Sequence, residues 1–91
     1  MVEPYIDRFE EDGSRTRTFS SDIDSDELIW HRDKKDREIT ILSGVGWKLQ
    51  MEDKLPKELE LGKLYHIPKM EYHRVIKGKD NLTIKIWENG S

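Results

Sequence analysis

The sequence predicts an all-β domain, an antiparallel sandwich or barrel. Three observations carry that expectation. Apolar and polar residues alternate in short runs, as in Trp47, Leu49 and Met51 against Lys48, Gln50 and Glu52, and again at Leu82, Ile84 and Ile86. Turn-forming residues interrupt those runs at regular spacing, at Asp12-Gly13, Ser43-Gly44 and Lys77-Gly78-Lys79-Asp80-Asn81. No stretch carries the period of a convincing amphipathic helix, and there is no internal repeat.

Taken in order, Asp12-Gly13 between Tyr5–Phe9 and Arg15–Phe19 reads as a short hairpin. Residues 20–27 form a polar, acidic loop. Its Asp22-Ile23-Asp24-Ser25-Asp26 run hints at a calcium loop, but Glu27 stands where a glycine is needed and no helices flank it. Leu28 to Arg32 is expected as a strand, with Asp33 to Asp36 as its turn. Glu38 to Leu42 is β-branched and apolar, and Trp47 to Met51 is half-buried. Lys54 to Glu60 is a charged loop around Pro56, with room for one helical turn. Tyr65 and Ile67 then share one face of a strand that Pro68 stops, leaving His66 on the outer face. His73 and Val75 share a face of the next. Leu82 to Trp87 closes the set.

Composition narrows the function classes. The 91 residues make one domain, with a core near the lower size limit for independent folding. Hydrophobic residues make up 34% and charged residues 38%, enough apolar material for one barrel interior. The 16 basic and 19 acidic residues are spread along the chain for a net charge of −3, so no basic stripe marks a nucleic-acid partner. Absence of cysteine excludes disulfides, thiolate catalysis and cysteine-ligated zinc. Met1-Val2-Glu3-Pro4 lacks the features of a secretory leader, and no apolar run approaches the roughly 20 residues that span a bilayer. The expectation is a cytoplasmic protein without a membrane partner. The sequon Asn81-Leu82-Thr83 then carries no meaning beyond its hairpin.

The densest signal lies between Gly62 and Lys77. It resembles the second motif of the cupin superfamily: Gly, five residues, Pro, one, Gly, two, His, three, Asn. Gly62, Pro68 and His73 keep the spacing, with Met70 at the second glycine and Lys77 at the asparagine. The first cupin motif is Gly, five residues, His-x-His, three or four, Glu, six, Gly. Here it meets Ser25, His31-Arg32-Asp33, Glu38 and Gly44. Asp33 replaces the second histidine, a change that keeps a metal-ligating group. The resemblance covers residues 25–77. It implies an antiparallel cupin-type β-barrel, a jelly roll, over residues 1–91, with residues 1–24 as an N-terminal hairpin and loop and 25–88 as the barrel.

One register conflict remains. Five residues, not six, separate Glu38 from Gly44, and counting back six reaches Arg37. The alternation Arg37, Ile39, Ile41 turns Arg37 inward and Glu38 outward, and a one-residue slip would reverse both. Only a bulge near Asp36 would restore Glu38 as a ligand. An inward Arg37 opposes a divalent cation and grips a carboxylate or phosphate.

By the resemblance, His31, Asp33, Glu38 and His73 are the candidate metal ligands, suited to iron, manganese, nickel or zinc. Whether any metal is held stays open. Arg37, Trp47, Tyr65 and His73 are the candidate ligand-binding residues, facing a pocket with Ile41, Leu49, Ile67, Val75, Ile84 and Ile86. His31 and His73 should meet inside the barrel. The favoured expectation is a small stand-alone cupin that binds a small polar or anionic molecule. The alternatives are a metal-dependent oxygenase or isomerase, and a structural or regulatory protein with a vestigial pocket. Leu28, Trp30, Leu42 and Trp87, all expected on the outer face, predict a homodimer.

Overall fold

The computed structural model describes residues 5–24 and 28–89, and Ser25 of the first motif lies outside them. Eight strands follow in order: β1 (Tyr5–Phe9), β2 (Arg15–Phe19), β3 (Asp36–Ser43), β4 (Lys48–Met51), β5 (Lys57–Glu58), β6 (Leu64–Ile67), β7 (His73–Ile76) and β8 (Leu82–Asn89). No helix occurs among the described residues. A five-stranded sheet in the order β1-β2-β8-β3-β6 faces a three-stranded sheet in the order β5-β4-β7, and every pairing is antiparallel.

The alternation read from sequence decides what lies between the sheets. Ile39 and Ile41 from β3, Tyr65 and Ile67 from β6, and Leu82, Ile84 and Ile86 from β8 are buried. Leu49 and Trp47 meet them from the β4 side, with Leu59 following β5 and Phe19 ending β2. Burying each Ile or Leu side chain contributes roughly 1.5–3 kcal/mol, so this one layer supplies most of the stability.

Two turns need glycine for different reasons. Gly13 has φ +91° in the β1–β2 turn, where a side chain would be strained. The adjacent Asp12 carboxylate accepts from the Ser14 amide at 3.0 Å and from its hydroxyl at 2.5 Å. These bonds and an ion pair with Lys85 lower the Asp12 carboxyl to about 2. Gly78, between β7 and β8, is fixed by crowding instead. A Cβ there would sit 2.5 Å from the Trp47 backbone nitrogen.

The structure departs from the expected elements in two places. Residues 28–32 do not form a strand: a single bridge pairs His31 with His73. The pairing stops at that one residue and does not extend back to Leu28, Ile29 or Trp30. Residues 54–60 make no helical turn, because Lys57 and Glu58 pair with Leu49 and Lys48. Leu28 also differs from expectation. It is half-buried and packs against the core rather than facing outward.

Candidate metal centre and cavity

His73 opens β7 with its ring directed inward and 2% of the residue exposed. The turn that leads to it follows Pro68 and passes through Met70, which stands at the motif glycine and adopts a left-handed backbone, φ +63°, that glycine takes more readily. That turn is sewn to the segment before β3. The Met70 amide donates to the Asp33 carbonyl at 2.7 Å, and the Lys69 amide to the Asp36 carboxylate at 2.8 Å. Two further backbone bonds join His31 and His73, at 3.0 and 2.8 Å. Four hydrogen bonds thus bring Asp33 and His31 alongside a residue forty-two positions later in sequence.

The two imidazoles meet edge to face, with ring centroids 4.4 Å apart. Each spends Nδ1 on a carbonyl two residues back, His31 on Ile29 at 3.1 Å and His73 on Glu71 at 2.9 Å. A carbonyl only accepts, so Nδ1 carries a proton in both rings and Nε2 is the nitrogen left for a ligand. Burial lowers the pKa of His31, and the neighbouring His73 adds to that, although the bond to Ile29 opposes it. His31 is therefore neutral at pH 7.

Asp33 completes the group. Burial pushes its carboxyl up, yet the adjacent His73 and Arg37 outweigh this and hold it below the usual carboxylate range. Oδ1 lies 3.3 Å from Arg37 Nη1. Oδ2 lies 3.3 Å from His73 Nε2 but is buried without a hydrogen-bond partner. A buried anionic oxygen without a hydrogen-bond partner, beside two ring nitrogens, is a place where a cation would be stabilised. The ligand atoms of His31, Asp33 and His73 all lie within 4.8 Å of one another. The donor set fits a divalent metal, with each histidine held through its other nitrogen as metal-ligating histidines usually are.

A cavity of about 380 Å³ opens beside this group. Its walls are mostly apolar, with Phe19, Leu49, Ile67, Val75, Ile84 and Ile86 among them, and its polar members include His31, Asp33, His73, Arg37 and Arg17. A run of alternating charges links the polar members along the five-stranded sheet. Arg37 bridges Asp33 and Glu88, the latter at 2.8 Å. Arg15 pairs with Glu88 and approaches Asp7 at 3.7 Å, and Arg17 grips Asp7 through two bonds of 2.7 and 2.9 Å. Three arginines meet three carboxylates, so the run is neutral.

Of the residues expected at the site, the structure brings together His31, Asp33, His73 and Arg37. Glu38 is not with them. It pairs opposite His66 and Trp87, both exposed, and the only irregularity of β3 lies between Ile41 and Ser43, far from Asp36. Trp47 does not line the cavity: it is 1% exposed, donates Nε1 to the Asp80 carbonyl at 2.6 Å and packs on Phe19. Tyr65 is also absent from the wall. Its hydroxyl accepts from the Glu60 amide at 2.8 Å and donates to the Glu58 carbonyl at 3.1 Å, which ties down the β5–β6 loop. Arg17 was missed, although it is in phase with Phe19 along β2, the one signal that could have found it.

No protein-family model matches this sequence, and neither does any curated protein. The fold does have relatives among solved structures. A cupin domain from Bordetella pertussis is 18% identical, covering 99% of this chain and 99% of that one, with a TM-score of 0.66. A DMSP lyase from Ruegeria pomeroyi is 14% identical with a TM-score of 0.78, covering 97% of this chain and 48% of the lyase. The iron(II) enzyme HppE is 17% identical with a TM-score of 0.64, covering 84% of this chain and 41% of that one. The chain thus has an antiparallel jelly-roll fold like that of the cupin structures. Among the described residues no helix is long and apolar enough to cross a membrane.

Proposed function

We propose that this cupin-type domain binds a divalent metal through His31, Asp33 and His73 and presents it to a small molecule with a largely apolar body. One observation carries the reading: ligand atoms of two imidazoles and one carboxylate converge within 4.8 Å, and that carboxylate has a buried oxygen with no hydrogen-bond partner. Two imidazoles and one carboxylate suit iron(II) best, with manganese, nickel and zinc as competitors. When bound, the metal supplies Lewis acidity and open coordination positions toward the cavity. The protein's own contribution is orientation. Two carbonyls set the imidazole tautomers, and Arg37 holds Asp33 by one oxygen so that the other stays free. This supports the metal-dependent enzyme reading, of oxygenase or isomerase type, over simple capture of an anion by Arg37. Arg37 is committed to Asp33 and Glu88.

Elemental analysis of protein purified without a metal-affinity tag tests the reading. About one equivalent of a transition metal in the wild type, lost in Asp33→Ala and His73→Ala, is the expected result. Metal-free wild type that fails to take up added iron(II) or manganese would defeat it. A cytoplasmic setting and homodimer formation belong to the same proposal. Leu42 and Trp87 are exposed on the outer face of the five-stranded sheet, and light scattering should exceed the 10.8 kDa of one chain.

A further inference from the structure

Arg17 stands apart from the metal centre, on the wall built by the N-terminal hairpin. It is 6% exposed, and its guanidinium lies flat on the Tyr5 ring with Cζ 3.5 Å from the centroid. A guanidinium carries five N–H donors in two forks. Asp7 takes the side-on fork through Nε and Nη2, at 2.7 and 2.9 Å. The end-on fork, formed by Nη1 and the second Nη2 hydrogen, has no partner among the described residues. Arg17 lines the cavity, whereas Asp7, which takes its occupied fork, does not. Tyr5 and Asp7 fix the plane of the fork before any ligand arrives.

We infer that Arg17 is a ligand-reading residue whose vacant fork receives the carboxylate of a small organic acid with an apolar body. A planar fork matches a carboxylate by two parallel hydrogen bonds, a geometry that a lone lysine does not reproduce. Phe19, two residues along the same inward face, and Ile84, paired with Arg17 across the sheet, supply apolar wall beside it. The inference rests on reading this cavity as a binding site, and it does not require the metal.

The test uses metal-free protein in chelator, with hexanoate and 1-hexanol as probes of equal chain length, followed by calorimetry and by NMR of the arginine side-chain nitrogens. The wild type should bind hexanoate about tenfold or more tightly than 1-hexanol, the ratio expected of a hydrogen bond to a charged group. Hexanoate should move the Arg17 side-chain resonances in the wild type, a readout that needs no variant to fold. Arg17→Gln should erase the hexanoate preference and spare 1-hexanol, whereas Asp33→Ala should keep the preference. Equal affinity for the two probes, no binding of either, or a preference that survives Arg17→Gln would overturn the inference. Loss of metal binding in the elemental analysis with the hexanoate preference intact would sink only the metal reading.

Discussion

The two sheets enclose the same cavity and are built differently. β3 and β8 in the five-stranded sheet run eight residues each and pair along most of their length. In the three-stranded sheet β4 and β7 run four residues and β5 two, and beyond β7 the pairing shrinks to the one bridge at His31. The candidate metal ligands sit on that shorter side, His73 at a strand end and His31 and Asp33 on a segment with no strand of its own. The long sheet supplies most of the apolar wall, Arg17 and most of the charged run. The difference separates what must persist from what must adjust: a lightly paired segment can close around an ion, whereas a central strand cannot move without unfolding the domain.

The largest expected effect breaks the long sheet. Ile86→Ala, at a position 2% exposed, should cost about 2–5 kcal/mol in denaturant unfolding, the range for truncating a buried isoleucine. A loss below 1 kcal/mol would mean that β8 is not the centre of stability. Next comes the short side. Asp33→Asn should lower metal affinity at least a hundredfold, about 2.7 kcal/mol, since even outer partners of metal ligands matter by ten to a hundredfold. In metal-free wild type the His31 and His73 amides should exchange hydrogen by local opening while those of Ile84 and Ile86 wait for global unfolding, and added metal should slow the first pair. Equal rates for both pairs would erase the contrast between the sheets.

Two smaller effects sharpen it. Met70→Gly relieves a left-handed backbone but loosens the unfolded chain, so thermal unfolding should show a net gain of up to about 1 kcal/mol. A net loss would mean that the Met70 side chain holds the turn in a way its 48% exposure does not suggest. Asp12, in the hairpin of the long sheet, should titrate in the folded state near its lowered value of about 2. Its folded pKa lies below the unfolded one, so its contribution is present above roughly pH 4. That contribution is lost as the pH falls from there through about 2. Ser14→Ala should move the NMR titration midpoint upward, and an unchanged midpoint would assign the shift to the amide of residue 14 and Lys85 instead.

The long sheet was more legible in the sequence than the short one, for a physical reason. A strand buried on one face writes its alternation into the chain, as Ile39, Ile41, Ile84 and Ile86 do. The His31 segment writes none, because one bridge between polar residues needs no pattern. Motif spacing therefore found His31, Asp33 and His73, while the strand expected over residues 28–32 did not form. Alternation also tells face and not depth. Trp47 and Tyr65 point inward as expected, yet their polar atoms are consumed by nearby backbone and they never reach the cavity. Glu38 followed the register of its strand rather than the motif. Arg17 was hidden because a charged residue in a short hairpin reads as solvated until its partner Asp7 is seen beside it.

The strand order β1-β2-β8-β3-β6 has a consequence for how the chain acquires its shape. The N-terminal hairpin pairs onward only with β8, and β3 finds its second neighbour in the same strand. During synthesis, β2 and β3 must therefore each wait with an open edge until residues 82–89 emerge. Such a nascent chain folds late and all at once, and its exposed strand edges in the interval are where chaperone capture or mispairing would fall.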